Sequence, residues 1–419
     1  MQEVIVIGGG VIGLSSAWWL LEAGYGVTVL ERETGTGRAC SFANGGQLSY
    51  RYVSPLADAG VPLKALQWLL EPDGPLRLRL DADPRQARWL LQFLRHCRAN
   101  VNQRTTDSLL RLGELSRVAL AQLSLTLPLD EFGWREAGKL VVYRSRKVFE
   151  AALARPDPDG RRVPLSAAQC VAREPALAAA GHVLAGGIYN DGEAVADCYA
   201  FCEALARRLH AHPRFRGVQH SQASGFVVAG GKVARLDTNA GPLMADAYVL
   251  AAGIQSRDLA ASAGLRLPLY PLKGYSLSAP IRAGDVAPHI SVTDFERKVL
   301  YARIGAQLRV AAMVDMVGED LRLDARRLAG LRRQVIETMP NAADYAHTTS
   351  WAGLRPATPS GAPIIGATPL PNLWLNLGHG GLGFTFACGS ASLLADAMRG
   401  KPWPIPASAL VFQRRSLTG

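Results

Sequence analysis

The sequence predicts a two-domain α/β protein, and three observations support that prediction. First, the apolar residues 4–7 run into a glycine-rich turn that is followed by an apolar helix. Second, residues 269–279 and 299–314 alternate apolar and polar side chains, as antiparallel strands do. Third, the chain has 419 residues, 48% of them hydrophobic, which is longer than a domain with one compact core usually is. We therefore expect a Rossmann-type domain and a second domain with a mixed, largely antiparallel sheet flanked by helices.

The N-terminal segment VIVIGGGVIG has the glycine spacing of a dinucleotide-binding turn. Gly8 permits the tight turn, Gly10 permits close approach of a pyrophosphate, and Gly13 lets the helix pack against the strand. The start of that helix would direct unpaired N–H groups at the phosphates. A plain glycine-rich turn is the alternative, but the predicted strand, helix, second strand and terminal acid all follow in order.

The expected elements are a helix at residues 12–23, a strand at 26–30 and Glu31 at the end of that strand. A carboxylate in this position accepts hydrogen bonds from a ribose 2′-OH and disfavours a 2′-phosphate. This stretch alone therefore allows NAD or FAD and argues against NADP.

Composition narrows the class of protein further. The net charge is +11, but arginines are scattered and no long basic run with interleaved aromatics exists, so we expect no nucleic acid partner. An anionic membrane surface is the better candidate partner. The six cysteines form no CxxC pair, which predicts reduced thiols and no metal site. Without a visible signal peptide or an 18-residue apolar run, we expect a cytoplasmic protein, with a peripheral location on the inner face of the cell membrane as the alternative.

The segments after Glu31 are less distinctive. Residues 32–49 read as a polar loop that contains Asn44, Gly45, Gly46 and Gln47, for which an ordinary turn is the alternative. The leucine-rich residues 56–80 are expected to be core, with a membrane-contacting patch as the alternative. Helical spacing predicts two helices between residues 86 and 127 and others at 148–154, 166–173, 198–210 and 324–339, with strands at 140–143 and 186–189.

Two glycine-containing turns lie in the second half of the chain. Residues 226–251 read as a β-meander whose last strand runs into Ala252 and Gly253, where small residues would let the backbone approach a cofactor. A second glycine-rich turn, GHGGLG at residues 378–383, precedes a helix expected at 384–398. This turn and the N-terminal glycine-rich turn lie at opposite ends of the chain, which suits a long cofactor with two ends.

Five segments together resemble the D-amino-acid oxidase superfamily of flavoproteins, and most closely its bacterial D-amino acid dehydrogenases. They are GGGVIGLSSAWWL, NGGQLS, YPLKGYSL, WAGLRPATPSGAPIIG and NLWLNLGHGGLGFTFACGS. The resemblance implies FAD, with its adenosine on the first βαβ unit and its ring at the interface with the second domain. The cofactor-binding residues that it implies, together with the motif residues above, are Val6, Gly8, Gly10, Val11, Gly13, Glu31, Arg32, Asn44, Gly45, Gly46, Gln47, Ala252, Gly253, Arg355, His379, Gly380, Gly381, Leu382, Gly383 and Thr385.

The resemblance also implies a substrate pocket. Arg303 matches the arginine that clamps the substrate carboxylate, and Arg355 would be a second cation closer to the flavin. Tyr275 would line the pocket and Tyr52 would follow the flavin loop, whereas His379 would serve the cofactor rather than act as a base. Structural ion pairs, surface charges or packing remain the alternatives for these side chains.

The function implied is oxidative deamination of D-amino acids to 2-oxo acids and ammonia, with electrons passed to a quinone or other non-oxygen acceptor. The alternatives are a cis-4-hydroxy-D-proline dehydrogenase, a glycine or sarcosine oxidase, and a non-catalytic FAD-binding subunit; an oligomer or a partner subunit is also possible. We expect residues 1–56, 186–264 and 347–419 to form the FAD-binding domain, and residues 57–185 and 265–346 to form the substrate domain.

Overall fold

The computed structural model describes residues 1–80, 82–155, 157 and 160–412, and it confirms the predicted α/β class. We number the strands β1–β20 and the helices α1–α10 in chain order. A first, mainly parallel sheet contains β1 (Glu3–Ile7), β2 (Gly26–Glu31), β9 (Phe215–His220), β13 (Ala247–Leu250), β19 (Ile364–Ala367) and β20 (Leu373–Leu377). Its order is β19-β20-β13-β1-β2-β9, with only the β19–β20 pair antiparallel among these described strands.

A second, mixed sheet forms the other large layer. Its strands are β4 (Leu76–Leu78), β5 (Lys139–Tyr143), β6 (Arg162–Leu165), β7 (Gly186–Asn190), β14 (Tyr270–Pro280), β15 (Ser291–Asp294), β16 (Val299–Ile304), β17 (Gln307–Met316) and β18 (Thr349–Ala357). The order is β18-β14-β17-β16-β15-β5-β7-β6, with β4 beside β17. Smaller sheets join β10 (Ala223–Ala229), β11 (Lys232–Thr238) and β12 (Gly241–Leu243), and β3 (Gln47–Leu48) with β8 (Ala194–Val195).

The helices cover these sheets and fill the space between them. They are α1 (Val11–Glu22), α2 (Val61–Leu70), α3 (Pro84–His96), α4 (Ala99–Leu123), α5 (Arg146–Leu153), α6 (Ala167–Arg173), α7 (Cys198–Ala211), α8 (Ser256–Ser262), α9 (Ala325–Thr338) and α10 (Gly383–Met398). Short 3-10 turns lie at Leu129–Phe132, Pro175–Val183, Gly253–Gln255, Tyr345–His347 and Gly380–Leu382.

Local chemistry explains where several helices begin. Asp197 accepts hydrogen bonds from the N–H groups of Tyr199 and Ala200 at the start of α7. Asp324 does the same at the start of α9, and Ser166 forms a capping box with Gln169 at the start of α6. These side chains satisfy the N–H groups that the first turn of a helix leaves without partners. The helices predicted at 166–173, 198–210 and 324–339 are confirmed to within a few residues.

The first sheet has a core on each face. The alternating residues Val4, Val6, Val27 and Val29 pack under α1, α7 and α10, and Ile5, Ile7 and Leu30 pack on the opposite face. Because side chains in a strand point to opposite faces in turn, one short apolar run serves both cores. The predicted strands at 4–7 and 26–30 and the helix between them are therefore confirmed.

The strand pairing differs from the predicted meander and domain boundaries. β10, β11 and β12 form their own small sheet, whereas β13 pairs with β1 in the first sheet. β7 and β18 pair within the second sheet, whereas the sequence predicts residues 186–190 and 349–357 in the FAD-binding domain. Helix α4, which the sequence predicts in the substrate domain, contributes Leu109, Leu112 and Leu120 to the core around α1 and α10. Residues 413–419 of the predicted domain lie outside the described part of the chain.

The leucine-rich segment forms a surface helix, so the prediction that it is core is wrong. None of the α2 residues is buried, and Leu63, Leu66 and Leu70 are 78%, 63% and 86% exposed. Half-buried Trp68 faces inward, with its ring 5.8 Å from the Lys298 ammonium. This contact on one side leaves the leucines on the other side directed at solvent.

One helical stretch is long and apolar enough to cross a membrane. Residues 380–398 meet that test among the described helices, although the sequence predicted no spanning run. Most of this stretch is buried inside the fold, in the core that α10 shares with α1 and α4. Packing of this kind is typical of the core helix of a domain.

Candidate active site

The first glycine-rich turn has the geometry that its spacing predicts. α1 begins after Gly10, which provides no side-chain cap, and no acidic residue lies in the first turn. A Cβ on Gly13 would overlap the carbonyl oxygen of Gly8, so only glycine lets the helix pack this closely on the strand. The helix start is thus open to an anionic group, and Val11 N–H donates to Ser41 Oγ at 3.0 Å.

Glu31 lies at the end of β2 beside this turn. Its carboxylate accepts hydrogen bonds from Gly9 N–H at 2.6 Å and from Glu33 N–H at 2.9 Å. A carboxylate has about four lone-pair positions, so these bonds leave capacity for ribose hydroxyls. Arg32 follows it on the surface and forms an ion pair with Glu33 at 3.2 Å.

The end of β13 comes to the same turn. β13 lies next to β1, with Val6 opposite Val249, and Ala251 N–H donates to Ile7 O at 2.9 Å. Ala252 and Gly253 follow directly, so the structure brings this predicted pair to the N-terminal turn. The sequence places these two segments about 240 residues apart, and only the parallel pairing joins them.

Residues 43–49 cross one face of the second sheet. Ser276 Oγ on β14 donates to Ala43 O at 2.7 Å, and Arg309 on β17 donates to Asn44 O at 2.9 Å. Gln47 Nε2 donates to Ser291 Oγ on β15. The loop is therefore fastened to successive strands. The same face carries Leu300 and Ile304, which lie against Gly45 and Gly46.

The C-terminal glycine-rich turn contacts the same 43–49 loop. His379 to Leu382 lead into α10, which begins at Gly383 without a side-chain cap and without an acidic residue in its first turn. Thr385 Oγ1 accepts the Ser49 N–H at 3.1 Å, which ties the turn to the 43–49 loop. The second glycine-rich helix start therefore meets the predicted flavin loop.

His379 is buried at 3% exposure, and its Nε2 has no hydrogen-bond partner within the described part of the protein. Burial lowers the pKa of His379 to about 3, so the imidazole is neutral at physiological pH. A buried polar atom without a partner is costly, and a bound group with hydrogen-bonding edges would satisfy it. The residues around this turn thus fit a flavin ring.

Arg355 on β18 points into the space between the second sheet and the C-terminal turn. Its guanidinium lies where a Cβ on Gly274 would be, and its Cδ lies 3.7 Å from the corresponding position on Gly381. Nη1 donates to Met313 O at 2.9 Å. Burial lowers the pKa of Arg355, but a guanidinium remains charged at neutral pH.

The carbonyl group that accepts the hydrogen bond from Arg355 belongs to a residue with a strained backbone, Met313. Met313 has a φ of +65°, where non-glycine residues are rare, and it lies where the pairing of β14 and β17 shifts register. A backbone outlier at a β-bulge is a common feature of functional sites. The sequence offers no signal for this bulge.

Arg303 and Tyr275 lie on the other face of the second sheet, which corrects their expected place in the pocket. Arg303 pairs with Leu308 and Tyr275 pairs with Ala312, and the partners Leu308 and Ala312 belong to the core under α9. Tyr275 donates to Asp315 at 3.0 Å beside a separate cavity of about 300 Å³. Alternation along a strand is the reason, since a shift of one residue reverses the face.

Tyr52 and several residues not predicted from sequence lie on the loop side of the sheet. Lys139 Nζ is 4.7 Å from the centre of the Tyr52 ring, and buried Lys139 also contacts Gln47. Arg309 and Ser276 hold the loop as described above. Arg309 and Arg303 belong to the same segment, VLYARIGAQLRV. The segment therefore does reach the loop side of the sheet, but through Arg309 and not through the predicted Arg303.

Within the described part of the chain, the cysteines and potential metal ligands near this site form neither a disulfide nor a metal-type cluster. All six cysteines are free thiols, and no group of three or more His, Cys, Asp or Glu in the described ranges could hold a metal ion. Cys40 Sγ lies 2.6 Å from Leu354 O beside Arg355, and burial raises its pKa to about 11, so the thiol is protonated.

Comparisons with known proteins identify the family. The family model described as "FAD dependent oxidoreductase" (DAO) matches residues 3–397. "D-amino acid dehydrogenase 2" of Pseudomonas aeruginosa is 49% identical over 419 residues, with 100% of each chain covered. The protein of the same name from Ralstonia nicotianae is 43% identical, covering 99% of this chain and 100% of its own.

Solved structures share the fold at low identity. Glycine oxidase from Geobacillus kaustophilus has a TM-score of 0.74 at 21% identity, covering 99% of this chain and 100% of its own. L-proline dehydrogenase from P. horikoshii has a TM-score of 0.74 at 18% identity, with 97% and 95% covered. The family predicted from the motifs, and FAD with it, are thereby confirmed: the chain belongs to the DAO family of FAD-dependent oxidoreductases.

Proposed function

We propose that this protein is an FAD-dependent D-amino acid dehydrogenase that converts D-amino acids to 2-oxo acids and ammonia. The full-length relatives at 49% and 43% identity bear that name, which supports the substrate class. FAD supplies the hydride acceptor at its N5 atom when bound. The protein's own residues then have to bind the substrate, orient its Cα hydrogen and limit the access of water.

The half-buried Arg355 is the observation that carries the proposal. Within the described residues it forms no ion pair with a carboxylate and one hydrogen bond, to Met313 O. A guanidinium has five N–H donors in a planar fork, which suits a carboxylate held by two parallel bonds. We therefore assign the carboxylate anchor to Arg355 rather than Arg303, because Arg355 shares the face of Gly274 and Ser276.

Neutral His379 and Tyr52 complete the proposed pocket. His379 would hydrogen-bond the flavin through its unpartnered Nε2, and its low pKa argues against a role as an acid at neutral pH. Tyr52 would cover the substrate from the loop that follows Gln47. Tyr275 is left out of the proposal because it faces Asp315 on the far side of the sheet.

Anaerobic addition of single amino acids to the purified holoprotein tests this function. We expect D-amino acids to bleach the flavin absorbance and to reduce a dye acceptor in steady-state assays. The panel should contain cis-4-hydroxy-D-proline, glycine, sarcosine and L-amino acids, because each stands for a rival function. Activity with L-isomers alone would refute the proposal, and a yellow protein that no amine bleaches would be a non-catalytic FAD subunit.

We further propose that electrons pass to a quinone from a site at the inner face of the cell membrane. The exposed leucines of α2 and the net charge of +11 support contact with anionic lipid. Lys64 lies on the same helix, so a basic group accompanies the apolar ones. Sedimentation with vesicles of anionic and of neutral lipid tests this, and equal absence from both pellets would refute it.

A further inference from the structure

Lys139 is a buried ammonium that the function proposed above does not use. It is 1% exposed on β5 and faces residues 47–52. Its Nζ donates to Gln47 Oε1 and to Ser49 Oγ at 3.2 Å. In the part of the chain that the structure describes, it forms no ion pair with a carboxylate within 4.0 Å.

The carboxyl group of Glu193, whose charge acts on Lys139, binds the same segment through backbone N–H groups. Glu193 is 1% exposed and accepts the N–H groups of Tyr50 at 2.7 Å and Arg51 at 3.0 Å. Burial lowers the pKa of Lys139 to about 8, and Glu193 opposes that shift only in part. Residues 47–52 are thus bound both by a buried cation and by a buried carboxyl group.

The segment also contacts the start of α10. Ser49 N–H donates to Thr385 Oγ1 at 3.1 Å, and Thr385 Oγ1 donates to Gln47 O at 3.4 Å. Both residues that bind Lys139 Nζ therefore also bind Thr385. One hydrogen-bonded chain runs from the second sheet through the loop to the helix end expected at the flavin ring.

A lysine is a costly choice for a purely structural contact in this place. A buried charge loses its hydration, and an apolar side chain of similar length would fill the same volume without that loss. The charge does have a use beside a flavin, because a fixed positive group stabilises the negative charge that reduction brings. Lys139 and the helix dipole of α10 would act in the same direction.

We propose that Lys139 is a positioning residue that holds residues 47–52 against the flavin site and whose positive charge favours reduced flavin. The inference rests on the proposed function, because it takes the flavin ring to lie beside this loop and α10. It assigns no proton transfer and no substrate contact to Lys139.

The test compares K139M and K139Q, which remove the charge, with K139R, which keeps it. K232M is the matched control, because Lys232 is exposed in the small sheet far along the chain from this loop. Each holoprotein is purified, its FAD content is measured, and its flavin is reduced at pH 6.5 against a dye of known potential. We expect the neutral variants to keep FAD while the equilibrium constant for two-electron reduction falls about tenfold, which is about 30 mV. K139R should recover most of this loss, and K232M should match the wild type.

Several outcomes would overturn the inference. One is a wild-type flavin potential in the neutral variants. Another is an equal fall of the reduction equilibrium constant in K139R and K139M, which would indicate that Lys139 acts through packing alone. If both neutral variants lose FAD, K139R decides: a wild-type potential with FAD retained supports the need for charge, and loss of FAD overturns it. Failure of the proposed function is distinguishable, since the wild type would then lack FAD or resist reduction by every D-amino acid.

Discussion

Replacing Arg355 by methionine tests the assignment of the substrate anchor. The guanidinium lies against Gly274 with one hydrogen bond to Met313 O, which leaves donors for both oxygens of a substrate carboxylate. A charge-assisted hydrogen bond contributes about 1.5 kcal/mol at the low end of its range, so two contribute about 3 kcal/mol. At about 1.4 kcal/mol for each factor of ten, R355M should lower kcat/KM by about 150-fold.

The assay is steady-state dye reduction with a D-amino acid, together with FAD content and thermal unfolding as checks on the fold. R303M is the matched control, since it also removes a guanidinium but on the opposite face of the sheet. We expect R303M to stay within about twofold of the wild type, because half-buried Arg303 lies on the face of the sheet away from the proposed pocket. A decrease in kcat/KM of less than about tenfold in R355M would refute the reasoning from strand faces, and so would a larger decrease in R303M than in R355M.

Three further predictions concern the cofactor turn, the buried histidine and the surface helix. G13A should yield protein with little FAD, measured by the ratio of flavin to protein absorbance, because the added Cβ overlaps Gly8 O; full FAD content would contradict this. The pKa of His379 is about 3 against an ordinary 6.5, so the unfolded chain binds the additional proton between these values and stability falls as pH falls. The free energy of unfolding, measured with urea between pH 6.5 and 4.5, should depend on pH less steeply in H379Q than in the wild type, by up to about 1.4 kcal/mol per pH unit. An equal pH dependence in the two proteins would count against a buried neutral imidazole. L66E/L70E should sediment less with anionic vesicles than the wild type and retain its FAD, whereas unchanged sedimentation would exclude α2 as the contact.

The pattern of success along the chain has a physical cause. The glycines at positions 8, 10 and 13 act within one turn, so their spacing alone indicates the strand, the helix and the open helix start. The same holds for GHGGLG, which the structure places before α10 as predicted. The leucines of α2 failed as a core prediction because apolar content does not reveal whether a partner surface exists.

The sequence by itself determined the α/β class, the FAD-dependent family and the two glycine-rich helix starts, because local backbone conformation and contiguous motifs specify them. Tertiary structure alone decided which arginine faces the loop. Arg303, Arg309 and Arg355 all lie on strands of one sheet, and strand register and the bulge at Met313 settle which face each side chain takes. It also brought Lys139 to Gln47 and Ser49, since residues about 90 positions apart meet only when β5 packs across the loop.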